Sequence, residues 1–142
     1  MSPRRTAAEA ASTHDSIVRE AAEGASEIGL EGISIGSLAA GLGMSKAGVA
    51  GHFASKRDLQ LEVVGYAAET FAERVWRPNE GLAPGRERLL GLLDTWYAYS
   101  ASGPFRGGCL LTAASTEFDG RPGPVRDALV EANRSLGLAL SD

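Results

Sequence analysis

Residues 43–59 read GMSKAGVAGHFASKRDL, and they hold Lys46 and Lys56, the only lysines of a 142-residue chain whose formal net charge is −4. Reading backwards from Asp58, the next carboxylate is Glu31, so residues 32–57 carry Lys46, Lys56 and Arg57, with His52, and no acidic side chain. Arg4 and Arg5 likewise precede the first acid, Glu9. Cations gathered in an otherwise acidic chain fit a local contact with a polyanion. Lysines displace condensed counterions from phosphates, and carboxylates in the same place would be repelled. The acidic balance of the whole argues against a protein that coats nucleic acid nonspecifically. Ser34, Ser37, Ser45 and Lys56 fall near expected helix starts, where unpaired backbone N–H groups favour a phosphate.

Other chemistry is thinly represented. No nucleophile, base and acid occur in a catalytic order, and His14 and His52 lie far apart in the sequence. An enzyme is therefore not expected, and neither a metal nor a cofactor is called for. Cys109 is the only cysteine, which excludes an internal disulfide and reads as a small buried hydrophobe. Glu117 and Asp119 flank a turn and read as helix-end solvation. Trp76, Trp96, Tyr97, Phe105 and Phe118, together with Cys109, are candidates for the wall of a ligand cavity, although aromatics at helical spacing more often serve as ordinary core. No run of about 18 apolar residues occurs, and no apolar stretch follows Arg4 and Arg5, so neither a membrane span nor a signal peptide is read and the cytoplasm is the expected location.

The elements that must position these residues are helices. Alternation never lasts and β-branched residues are sparse, so an all-α fold is expected. A first helix over about 13–28 presents Ile17, Ala21, Ala25 and Ile28, with Ser12 and Asp15 as its capping box. Ser34 caps a short second helix that Gly43 ends, and Ser45 caps a third reaching about His52. Ser55 and Asp58 open a fourth that runs to about Val75. A fifth begins near Pro84 with Leu89, Leu92, Leu93 and Trp96 on its buried side. A sixth covers Gly107 to about Phe118, and a seventh carries Val125, Leu129, Ala132, Leu136 and Leu140 in register. Three short, tightly spaced helices, with Ala39 at a crossing, Gly43 in the turn and Val49 as apolar anchor, make a helix-turn-helix over about 33–52. Its third helix would lie in the major groove. Lys46 can reach a guanine and His52 a phosphate, whereas Ala47, Gly48, Ala50 and Gly51 offer shape and close approach only.

The stretch GISIGSLAAGLGMSKAGVAGHFASKRDL resembles the DNA-binding region of tetracycline-repressor-like (TetR-type) transcriptional regulators, most closely from Ile17 to Leu59. In the family a His-Phe-x-x-Lys-x-x-Leu pattern matches HFASKRDL, and a tyrosine commonly stands where this chain has Ala50. The later stretch CLLTAASTEFDGRPGPVRDAL is similar to ligand-domain helices of some members. The resemblance implies a homodimer, a palindromic double-stranded DNA operator and a small-molecule effector whose binding releases a repressor. It also implies an organisation in three parts: a flexible basic arm over 1–12, a DNA-binding head over 13–73, and a helical effector-binding domain over 74–142. Relatives usually continue with two further helices that this chain lacks. A rival reading is a helical ligand-binding or protein-interaction module in which DNA reading has degenerated.

Overall fold

The computed structural model describes residues 6–141 and is all-α: seven α-helices and, among the described residues, no strand. Arg4 and Arg5 lie outside the described residues. Helix α1 (Ala7–Ile28) starts earlier than the Ser12–Asp15 pattern suggests. Thr6 and Glu9 form the capping box instead, each satisfying the other's backbone N–H, and the alanine-rich first turns are strong helix formers. The flexible arm expected over 1–12 is thereby corrected, since 7–12 is helical.

Three serines set the next starts. Ser34 accepts from the N–H of Ser37 to open α2 (Ile35–Leu42), and Ser45 accepts from Gly48 to open α3 (Lys46–Ala50). Ser55 accepts from Asp58 to open α4 (Lys56–Phe71). Gly43 ends α2 in the left-handed region at φ 61°, where a side chain would be strained. Helix α3 is shorter than expected and leaves His52 in the turn beyond it.

Val49, Phe53 and Leu59 are buried, together with Ile17, Ala21 and Ala25 of α1 and Leu38 and Ala39 of α2, in one core. Ile28, expected on that stripe, is 61% exposed, and Leu30 takes the interior place after the helix has ended. Helix α4 packs on α1, on α6 (Leu110–Phe118) and on α7 (Pro124–Ser141), so a single rod runs through both halves of the chain. It does not stay regular to Val75. Residues 72–76 form a π-helical turn and 77–79 a 3₁₀ turn at Pro78. Asn79 fixes that end, its buried amide donating to the Val75 carbonyl and to Thr95 of α5 (Arg86–Ser102). On α5 only Leu92 and Tyr99 are buried, while Leu89, Leu93 and Trp96 are 48%, 50% and 38% exposed, so the buried side expected for this helix is corrected to a narrower one.

Candidate nucleic-acid interface and adjoining cavity

Val49 is the only buried residue of α3, so Lys46, Ala47, Gly48 and Ala50 stand open to solvent with Gly51 just beyond. Ser34, Ser37 and Ser45 are exposed beside them. Their hydroxyls are committed to local structure: Ser34 donates to the Ser37 hydroxyl, Ser37 donates to the Ser34 carbonyl, and Ser45 accepts from Gly48. Lys46 lies over the start of α2. A Cβ built on Gly36 would come within 3.3 Å of its Cε, so the glycine makes room for that stem. No carboxylate pairs with Lys46 among the described residues. His52 is half-buried instead of free, its ring 5.5 Å from that of His14. The two histidines distant in sequence therefore meet in space. His14 also packs 4.7 Å from the Phe53 ring and bonds Glu62 of α4. No cluster of three or more ligating side chains exists among the described residues.

Lys56 is less free than the acid-poor stretch suggests. Its ammonium donates to the Glu31 backbone carbonyl and lies 3.9 Å from the Glu31 carboxylate, the very acid that bounds the stretch in the sequence. Lys56 and Arg57 share a groove of about 300 Å³ with Arg121 and Arg126. The turn that carries Arg121 gave no sign of cationic work in the sequence. Its approach to α4 depends on tertiary packing alone.

Glu31 belongs to a polar junction between the three-helix head and α6. Glu117, the penultimate residue of α6, accepts from the N–H of Leu30 at 2.9 Å and of Glu31 at 3.0 Å. Gln60 donates to the Leu30 carbonyl and to the Glu31 carboxylate, which also lies 4.0 Å from Arg121. The helix-end solvation expected of Glu117 is thus corrected: its half-buried carboxylate accepts from two backbone amides of the turn after α1. A second tie joins the loop before α6 to α1. There the N–H of Arg106 donates to Glu23, that of Gly107 donates to the Ser26 hydroxyl, and the Arg106 guanidinium pairs with Glu27.

Beyond the junction, α4, the π-helical turn, α5, α6 and α7 line a half-open cavity of about 550 Å³. Phe71, Trp76, Trp96, Leu111 and Leu136 give it apolar walls, and Thr112, Ser115, Thr116 and Asn133 bring hydroxyl and amide groups. Glu69 reaches its rim, paired there with Arg77 at 2.6 Å. Of the residues proposed from sequence, Trp76, Trp96 and Cys109 line this cavity, the thiol accepting from the Thr112 hydroxyl. Three are corrected. Tyr97 is 78% exposed on the outer side of α5. Phe105 is buried against the rings of Tyr66 and Tyr99, and Phe118 is buried at the junction under the Arg121 guanidinium. Tyr99, packed between Phe71 and Phe105, has its phenol pushed well above the ordinary range by burial. The residues that sequence reasoning missed, chiefly Phe71, Leu111, Thr112 and Ser115, gave no signal beyond ordinary helical spacing.

Residues 17–63 match the family model for bacterial regulatory proteins of the tetR family, and residues 85–141 match the tetracyclin repressor-like C-terminal domain. Together they span well over half of the chain. The chain belongs to the TetR family. A solved TetR transcriptional regulator from Chloroflexus aurantiacus J-10-FL superposes with a TM-score of 0.79 at 27% identity, over 88% of this chain and 63% of that one. AibR, solved in complex with isovaleryl coenzyme A and operator DNA, shares the fold with a TM-score of 0.72 at 23% identity, over 86% of this chain and 64% of that one. This TetR-family chain therefore spans less than two thirds of the length of either structure. No curated protein sequence gives a significant match.

Proposed function

We propose that this TetR-family chain is a ligand-responsive DNA-binding transcriptional regulator, a repressor that binds a palindromic operator as a dimer and releases it when a small molecule occupies the cavity. One observation carries the reading. The same helix, α4, begins at Lys56 in the cationic head and ends in the π-helical turn whose Ala72 and Trp76 wall the cavity. Ligand preference for one position of that rod then becomes DNA affinity by linkage, because a dimer needs its two reading helices about 34–36 Å apart. Lys46 supplies the directed base or phosphate contact. The small side chains of α3 leave further discrimination to close approach and DNA shape.

The ligand best suited to these walls is an aromatic or otherwise apolar compound bearing groups that bond hydroxyls and an amide. No helix among the described residues is long and apolar enough to cross a membrane, in keeping with action on DNA in the cytoplasm. The rival, a ligand-binding or interaction module without operator reading, draws support from the bare surface of α3. Selection from random duplexes decides between them. Enrichment of a palindrome supports the regulator, and a pool with no enriched sequence supports the rival.

A further inference from the structure

We infer that Glu117 is the positioning residue that passes cavity occupancy to the DNA-facing edge of the head, through its grip on the amides of Leu30 and Glu31. This rests on the ligand-responsive reading above and adds to it a second route, separate from the movement of α4 itself.

Helix α6 is a nine-residue rod, about 13 Å long at 1.5 Å per residue. Leu111, Thr112, Ser115 and Thr116 face the cavity, and Glu117 follows the last of them directly. Any ligand that displaces the wall displaces the carboxylate one peptide away. The far end of that carboxylate is bound with little tolerance. Both of its N–H contacts are near 3 Å, and such bonds weaken steeply as they lengthen. The site is also shaped for it: Gly29, at φ 84°, offers no side chain, and a Cβ there would stand 2.9 Å from the Glu117 oxygens.

Glu117 and α4 hold the same turn from two sides and share its Leu30–Glu31 peptide group, whose N–H donates to Glu117 and whose carbonyl accepts from Gln60. Gln60 donates to the Leu30 carbonyl and Lys56 to the Glu31 carbonyl, while the Glu31 side chain faces Lys56, Gln60 and Arg121. The turn at 30–31 is therefore a shared piece between the cavity wall and the lysine that opens α4. With Glu117 in place, Glu31 is kept against Lys56. When α6 moves and one amide is released, the turn and its carboxylate reset, and the charge presented by Lys56 changes with them.

The two tryptophans of the chain, Trp76 and Trp96, both line the cavity, so their fluorescence reports its occupancy. The test uses N-phenyl-1-naphthylamine, a neutral aromatic, as the cavity probe and an operator duplex obtained by selection. In the wild type, saturating probe is expected to change duplex affinity by about fivefold or more. In Glu117→Gln, which keeps the shape but loses one acceptor, that factor falls towards one. Its probe affinity without DNA, read from tryptophan quenching, stays as in the wild type, since Glu117 is no part of the wall. Amide exchange at Leu30 and Glu31 in the wild type gives a second readout that needs no variant: protection of at least one of them falls when the probe binds. Equal coupling in wild type and Glu117→Gln, or unchanged protection of the two amides while the probe alters duplex affinity, overturns the relay and leaves the regulator standing. A wild type whose tryptophans the probe never quenches, or whose duplex affinity the bound probe leaves alone, removes the ligand-responsive reading and the relay with it.

Discussion

Replacing Lys46 by alanine tests the cationic edge where its charge is least compensated. Lys46 has no carboxylate partner among the described residues, and its stem rests along Gly36, which orders it without neutralising it. Lys56, by contrast, already lies 3.9 Å from the Glu31 carboxylate. A cation that neutralises one phosphate contributes about 0.9 to the slope of log affinity against log salt. Lys46→Ala should therefore lower the slope by about 0.9 for each head bound, so that raising salt from about 50 to 200 mM weakens the variant about threefold less per head than the wild type. Lys56→Ala should remove less, because Glu31 has taken part of the role that the phosphate would play. Glu31→Gln keeps an acceptor for Gln60 but frees the Lys56 charge, and should steepen the slope. Fluorescence anisotropy on a selected duplex across that salt range measures all four proteins. A Lys46→Ala slope equal to that of the wild type would refute the assignment of Lys46 to phosphate or base. A shallower slope in Glu31→Gln would refute the account of Lys56.

Two further outcomes concern the scaffold. Leu59, 1% exposed where the first turn of α4 meets the core of the head, should cost about 2–5 kcal/mol as Leu59→Ala, whereas the half-exposed Leu93 should cost about 0.5 kcal/mol or less; urea unfolding gives both, and equal losses would contradict the burial described. Burial raises the folded-state pKa of Tyr99 above the unfolded value of about 10, so the stability it contributes is fully present below that pH and is lost as pH rises above it. Tyr99→Phe should flatten the fall in melting temperature above about pH 10, and identical alkaline falls in the two proteins would remove Tyr99 as its source.

Much of the helical framework was legible because its signals are local. Ser34, Ser45 and Ser55 each accept a backbone N–H three residues on, and Gly43 adopts the positive φ that a turn between two short helices requires. The start of α1 was misplaced because two capping boxes compete within residues 6–15, and Thr6 with Glu9 gains the longer helix. On α5 the apolar residues Leu89, Leu90, Leu92, Leu93, Trp96 and Tyr97 share one face of the helix, a stripe wider than the packing covers, so the period names the face but not the part of it that is buried. Packing against the π-helical turn selected Leu92 and Tyr99. The cavity wall was partly foreseen through its tryptophans, and its hydroxyl-bearing side was not, since Thr112, Ser115 and Thr116 look the same in sequence whether they face water or a cavity.

The sequence by itself determined an all-α chain with a helix-turn-helix, its caps and its concentration of lysines, since each depends on residues within a turn or two of one another. Only the tertiary structure decided what those lysines face. Glu31 beside Lys56, Glu117 on the amides of Leu30 and Glu31, and Arg121 near Arg57 pair residues from 25 to 87 positions apart or from separate helices. Contacts at that range are fixed by how α1, α4 and α6 pack, and no local pattern encodes them.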